Sequence, residues 1–324
     1  VSKRQGIFLY SAWDSVHVAL VLVSFLVPIF SAWFFDALPA AALVLASLIA
    51  ATCGFLTSKT QHLFAHTPFF PSRTIGSVFG VLISTLNRVP QTAYYYTHVM
   101  VHHRQTISYS AFRLRDFLGL GSLLAALRIP IRAFLSAFGT NWAPVVRQAW
   151  SQRSLDLPKP PTKEHYESFD DYFTSTVPGL LYWINHQDRR LLRQLVIEMI
   201  SIVLFPILLL AIDWRFFCFF YVPARCILEE WILSYEEYCE HYGIVDPADP
   251  KRDSVSGYGF INLFLFNAGY HQEHHAHPGV HWTMLPTLRE EMPPETERRV
   301  VPFHPFTGPF VPLRSPDRHV SSNG

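Results

Sequence analysis

Apolar runs long enough to cross a bilayer constrain this chain more than any other feature. The first extends from about Val16 to Phe35 behind Lys3 and Arg4, long enough for a hydrocarbon core of roughly 30 Å. Asp36 and Pro39 turn the chain, and a second run from about Ala37 to Leu56 returns it. Leu195 to Ile212 is a third, and after a short turn at Asp213, Trp214 and Arg215 a fourth runs from about Phe216 to Leu233. Ile75 to Val89 is apolar but short for a crossing and reads as a re-entrant or interfacial helix. Composition agrees: of 324 residues 50% are hydrophobic and 16% charged, with mean hydropathy +0.17, too apolar for a soluble domain of this size. Lys and Arg flank the outer ends of the first pair of runs and are absent from the turn, so the N-terminus and Lys59 are expected in the cytoplasm. Val1 in place of Met suggests a trimmed start or an unusual start codon, and no clear cleavage site follows the first run.

Several function classes are excluded or disfavoured. A net charge of +1 without basic runs gives no reason to expect nucleic acid. Cys53, Cys218, Cys226 and Cys239 form no CxxC pair and read as reduced, buried thiols. No GxGxxG or P-loop is present, and HPGV at 277–280 is an incomplete haem motif. In the fourth run Arg225 and Glu229 are expected to pair at i and i+4 as the helix leaves the lipid. Arg113, Arg115, Arg128, Arg132, Arg147 and Arg153 alternate with apolar residues, as on a helix lying along the membrane surface. The Pro-rich stretch 157–172 is a loop between two halves of the chain, and the Pro-rich tail, 293–324, wraps the rest or stays mobile.

Histidines carry the chemistry. His271, His274 and His275 fall at i, i+3 and i+4, on one face of a helix. His62 and His66 are spaced i and i+4, as are His98 and His102, while His103 is rotated about 100° and suits a second metal. His241 follows the fourth run. Four crossings bring all nine to one side of the membrane, and nine imidazoles suit two metals with four or five ligands each.

HLFAH, HVMVHH and HQEHH resemble the three histidine boxes of the membrane fatty-acid desaturase and hydroxylase superfamily. EHYG at 240–243 resembles a further motif of the membrane alkane hydroxylases, and HHAHP at 274–278 is similar to their last box. The NxGYHxEHH pattern with Trp282, Leu285 and Pro286 also resembles bacterial desaturase-like proteins; the likeness covers about Lys59 to Pro286. It implies an all-α integral membrane protein, one domain over 1–324, with about four transmembrane helices and a cytosolic helical cap. It further implies a non-haem di-iron centre on His62, His66, His98, His102, His103, His241, His271, His274 and His275. Iron rather than zinc fits a redox role. The implied reaction uses O2 and electrons from a ferredoxin, rubredoxin or similar donor to hydroxylate or desaturate an unactivated C–H bond in a fatty acyl, alkyl or other lipid chain. Oxidative decarboxylation of a fatty acid to a terminal alkene is the alternative outcome, with Arg104 as candidate carboxylate anchor. The rival of another class is a non-catalytic protein that binds or transports metal, which predicts ligands strung along the spans.

The chain departs from the alkane hydroxylases at Leu63, Ala65, Thr97, Val101 and Glu237. Glu237 shares a face with His241 and either orients its imidazole or is a solvated acid. Asn267 either faces the metals or caps the helix of His271. Glu273 is expected to point away or support a ligand. His277 and His281 read as neighbours of the site or as surface residues, and His17, His165, His186, His304 and His319 as structural or solvated.

Overall fold

In a computed structural model of the chain, residues 7–104, 118, 120, 122–139, 179–184 and 189–313 are described. The Pro-rich stretch 157–172, Arg113, Arg115, Arg147, Arg153, His165, His186 and His319 lie outside them.

Two long helices, α1 (Ser15–Trp33) and α2 (Ala40–His66), fold back on each other through a turn at Phe35–Ala37. Their packing is inverted relative to a water-soluble bundle. The faces that meet protein carry small or hydroxyl residues, among them Ser24, Ser31, Ala50, Ala51 and Gly54, whereas Leu26, Phe30, Leu45 and Leu48 are exposed. Close approach through small residues with large apolar side chains outward is how helices pack in lipid, where burying a leucine against protein gains little over leaving it among acyl chains. Helix α3 (Arg73–Asn87) starts at Ser72, whose hydroxyl accepts from Ile75 N, and ends with Arg88 in the left-handed conformation, φ 59°. Next come α4 (Gln91–Tyr94), a π-helical turn over Tyr95–Val101, α5 (Ile129–Ala137) and α6 (Arg189–Ile212). Rather than dipping alone into lipid, α3 packs along α6, with the Thr85 and Ser201 hydroxyls 2.8 Å apart.

Among the described residues three helices are long and apolar enough to cross a membrane: Ala12–Trp33, Ala40–His66 and Arg190–Ile212. The segment expected as a fourth is helical but different in kind. Phe217–Leu228 is π-helical, contains Pro223 and continues directly into α7 (Glu229–Glu240). Arg225 and Glu229 do form the expected i, i+4 pair, and both are buried in protein. Arg225 also donates to the carbonyls of Ala50 and Leu86, and Arg88 adds a second cation against Glu229 and Glu230. Gly54 makes room for this network, since a Cβ there would overlap the Arg225 guanidinium and the Glu229 carboxylate. Buried charges satisfied on several sides avoid the cost of an isolated ion in a medium of low polarity.

Arg128 and Arg132, on and just before α5, are exposed beside Ile131, Phe134 and Leu135, while Ala133 and Ala137 pack inward against the Phe217 region. The four cysteines are free thiols. Beyond α7 the chain is mostly irregular, and its last described stretch wraps back over the helices. Val300–Val301 pairs in parallel with Ser256–Gly257, and Phe306 accepts a hydrogen bond on its carbonyl from Tyr235 OH of α7 at 2.8 Å. The short helix α8 (His271–Ala276) is held beneath that wrap.

Candidate metal centre

Four segments converge where α2 ends. The nine histidines form two groups, His62, His66, His98, His103 and His274 in one, His102, His241, His271 and His275 in the other. Within each group one ring nitrogen per residue lies within 4.8 Å of all the others. The close approaches include His62 Nε2 to His274 Nε2 at 2.8 Å, His103 Nε2 to His274 Nε2 at 3.1 Å and His241 Nε2 to His271 Nε2 at 3.4 Å.

The division within the second box differs from the expected one. His98 pairs with His103, Nε2 to Nε2 3.2 Å, while His102 joins the other group. The reason is local: Tyr95–Val101 is π-helical, and a π-helix aligns residues i and i+5 where an α-helix aligns i and i+4. On α8 the three histidines do not share one volume either. His271 and His275, a turn apart, face the four-histidine group and His274 the five-histidine group.

Burial holds these rings neutral. It pushes His98, His241, His271, His274 and His275 well below the ordinary imidazole range, His102 to about 4, and His103 further down. Neighbouring histidines add to the depression, because a second positive charge among them is unfavourable. Neutral imidazoles with converging lone pairs are the form that binds a metal cation. His66 Nε2 and His275 Nε2 are buried without a protein partner, which fits nitrogens reserved for a cation. The residues present therefore suit two metal ions of the borderline-soft, nitrogen-preferring kind.

Asp253 braces the four-histidine group, and no sequence spacing points to it. Its carboxylate accepts from His275 Nδ1 at 2.9 Å and its carbonyl from His241 Nδ1 at 3.2 Å. Each bond fixes the proton on Nδ1 and turns Nε2 toward the group. Glu240 is the other acid close by, with Oε2 3.8 Å from His271 Nε2, and it also faces Lys59 at 3.7 Å.

The acids and amide singled out from sequence occupy different places. Glu273 is fully buried and faces away from the rings, accepting from Ser256 Oγ at 2.8 Å and Tyr258 OH at 2.6 Å, with Arg298 Nη1 at 3.3 Å. It ties α8 to the wrapping tail. Asn267 neither faces the rings nor caps α8, whose N-cap is Tyr270. It sits in a left-handed turn, φ 61°, with its amide donating to the Trp282 carbonyl at 3.1 Å. Glu237 lines a cavity beside the groups, while the hydrogen bond that orients His241 comes from Asp253. Arg104 lies in the turn His102–Arg104, and its side chain is outside the described residues.

The other described histidines make contacts away from the two groups. His281 Nε2 and Trp282 Nε1 both donate to the buried Asp14 carboxylate, at 2.9 and 3.2 Å, joining α8's flank to the start of α1. His17 Nδ1 lies 2.9 Å from the Thr60 hydroxyl, His277 lies near Glu291, and His304 accepts from Phe306 N at the start of the turn Pro305–Phe310.

This arrangement has a family. The fatty acid desaturase model matches residues 37–307, and the chain belongs to that family. Curated relatives include the sphingolipid delta(4)-desaturases of Komagataella phaffii, 43% identical over 58 residues, Candida albicans, 34% over 65, and Schizosaccharomyces pombe, 49% over 41. Each match covers 13 to 15% of this chain and 11 to 18% of the relative, so the chain spans less than a fifth of the length of the curated relatives it matches. No solved structure matches it significantly.

Proposed function

We propose that the protein is a membrane oxidoreductase that oxidises the alkyl chain of a lipid at a non-haem di-iron centre, with desaturation as the outcome. The observation that carries this reading is the division of nine buried or half-buried imidazoles into groups of five and four. The naming of the relatives as desaturases favours loss of two hydrogens over gain of oxygen. In balance, two C–H hydrogens from adjacent carbons, two electrons from an external donor protein, two protons and O2 give a C=C bond and two waters. Bound iron would supply the O2 and one-electron chemistry that zinc lacks. The chain's own residues do the rest. His62, His66, His98, His103 and His274 hold one metal, and His102, His241, His271 and His275 the other. Asp253 keeps Nδ1 of His241 and His275 protonated so that Nε2 stays a ligand, and the buried surround excludes water that would quench a reactive oxidant.

In this reading the continuous helix from Trp214 to Glu240 is the fourth crossing, and the centre lies at the cytoplasmic ends of the helices, where a ferredoxin or rubredoxin-like donor reaches it. Histidines gathered at one end of the helices, rather than strung along them, favour an enzyme over a metal transporter. The test is iron analysis of the purified protein with O2 consumption under a chemical reductant and mass spectrometry of lipids from expressing cells. Iron, substrate-dependent O2 uptake and products two hydrogens lighter are expected. A metal-loaded protein that consumes no O2 with any lipid would overturn the proposal.

A further inference from the structure

The run 254–270, SVSGYGFINLFLFNAGY, holds no charged residue, although it lies outside the three candidate spans and leads directly into α8. In its middle Phe260–Leu263 forms a tight 3-10 turn, in which residues three apart are eclipsed, so Phe260 and Leu263 share a face. Phe260, Leu263 and Phe264 are 71%, 78% and 65% exposed. Buried polar bonds fix the turn. Asn262 donates from Nδ2 to the Gly257 carbonyl at 2.7 Å and accepts on Oδ1 from Gly269 N at 2.9 Å, and its carbonyl accepts from Asn267 N at 2.8 Å. Gly259 N donates to the Phe303 carbonyl at 2.6 Å, which brings a further exposed aromatic residue alongside, on a left-handed backbone with φ 66°. A turn held rigidly with large apolar side chains outward marks a contact surface.

The height of this surface on the molecule identifies what it meets. Phe266, two residues beyond Phe264, is buried against His17, ring centroids 4.3 Å apart, and against Trp282 at 5.7 Å. His17 lies in the first turn of α1, and from Phe34 back to His17 the helix climbs about 25 Å at 1.5 Å per residue. With the turn Phe35–Ala37 at one boundary of a hydrocarbon core of roughly 30 Å, His17 and the rings packed on it come within one helical turn of the other. The neighbours at that level have the same character. Ile7, Leu9, Tyr10 and Trp13 are exposed just before α1, Tyr10 packs on the His281 ring at 5.6 Å, and Met284 is exposed two residues beyond Trp282. Tyrosine and tryptophan collect at the boundary between bilayer and water.

We infer that the turn Phe260–Leu263, with Phe264, dips into the leaflet at the histidine end of the helices and fastens the segment carrying His271, His274 and His275 to the membrane surface. The inference rests on α1 crossing the bilayer and is independent of the oxidation chemistry. The occupant is lipid rather than an electron-donor protein, because a soluble donor is steered by complementary charge and 254–270 offers none. Held by lipid ahead of it and by Arg298 of the tail, α8 keeps its rings within reach of chains in that leaflet.

The test places a thiol-reactive fluorophore on Leu263→Cys, Leu26→Cys and Ala248→Cys in phosphatidylcholine vesicles, with the unsubstituted protein giving the background from its own four thiols. Leu26 is exposed midway along α1, and Ala248 is exposed on a turn between Asp246 and Asp249. Quenching is read with lipids spin-labelled near the head group, with lipids spin-labelled at mid-chain and with aqueous iodide. The Leu263 probe is expected to answer the shallow lipid label severalfold more strongly than the Ala248 probe, and iodide severalfold less. Iodide quenching equal to that at Ala248 overturns the inference, as does shielding from iodide and lipid alike, the result that contact with a second copy or a donor protein would give. In either case the crossing of α1 stands if the Leu26 probe answers the mid-chain label; a Leu26 probe that answers neither lipid defeats the crossing and the inference together. Should a replacement fail to fold, photo-crosslinking of the unaltered protein by lipids carrying a shallow diazirine decides. Adducts within 258–264 are expected, and adducts confined to α1, α2 and α6 overturn the inference.

Discussion

The five-histidine and four-histidine groups use one residue type and are supported in opposite ways. The larger group is mostly half-buried, and its members approach one another directly, with His274 within 3.1 Å of both His62 and His103. The smaller is wholly buried and leans on acids, with Asp253 bonded to two of its four rings and Glu240 close to a third. Ligand number and outer support thus vary inversely. A site with fewer imidazoles depends more on each and on what aims it, whereas one with five has a ligand to spare.

The largest expected effect comes from removing ligands. His241→Ala should lower bound iron from about two per chain to about one and reduce activity at least about 100-fold, while His66→Ala should lose less of both. Elemental analysis of the two purified variants checks this, and equal losses would break the comparison. Asp253→Asn should weaken metal binding about 10- to 100-fold in the smaller group alone. Titration with ferrous iron followed by Mössbauer spectroscopy distinguishes the groups; parallel weakening of both would show that Asp253 does not act through His241 and His275.

Acid should destabilise the metal-free protein. His102 has its folded pKa lowered to about 4 against an ordinary value near 6.5, so between those values the unfolded chain binds more protons. Stability is complete above about pH 6.5 and falls with pH to about 4, by about 3 kcal/mol from His102 alone. Thermal unfolding in detergent across that range measures the loss, and bound metal should shift it to lower pH; a flat profile would contradict the buried, neutral rings. The smallest effect is expected from Glu237→Gln, which should change iron content less than about twofold because His241 is oriented by Asp253. A loss matching that of Asp253→Asn would restore Glu237 to the role its spacing suggests.

Much of the site was legible because metal ligation needs one scarce residue type at helical spacing. Seven of the nine histidines stand at helical spacing, while His103 and His241 were singled out by their place beside the second box and after the fourth run, and the apolar runs gave α1, α2 and α6. The division between the groups was not legible: it depends on a π-helical turn, and nothing in YYTHVMV distinguishes that turn from an α-helix. Asp253 was hidden for another reason. It lies twelve residues from His241 in an irregular loop, where no periodicity relates sequence to space. The Arg225 and Glu229 pair could be read at i and i+4, yet Arg88 and Gly54, which complete its surroundings, come from other helices. Asn267 misled because a favoured helix-start residue lies near a helix, three positions too early to cap it.

The wrapping tail has a consequence for how the protein is made. Six of the nine residues assigned to metal, together with Lys59 and Arg88, leave the ribosome with the first two thirds of the chain or soon after, but α8 comes late and the segment that secures it comes later still. Arg298 reaches Gln272 Nη1 to Oε1 at 2.8 Å and stands beside Glu273, so α8 gains its last anchor only after nearly all the described chain has been synthesised. The cluster of rings is accordingly closed from the C-terminal side as a finishing step.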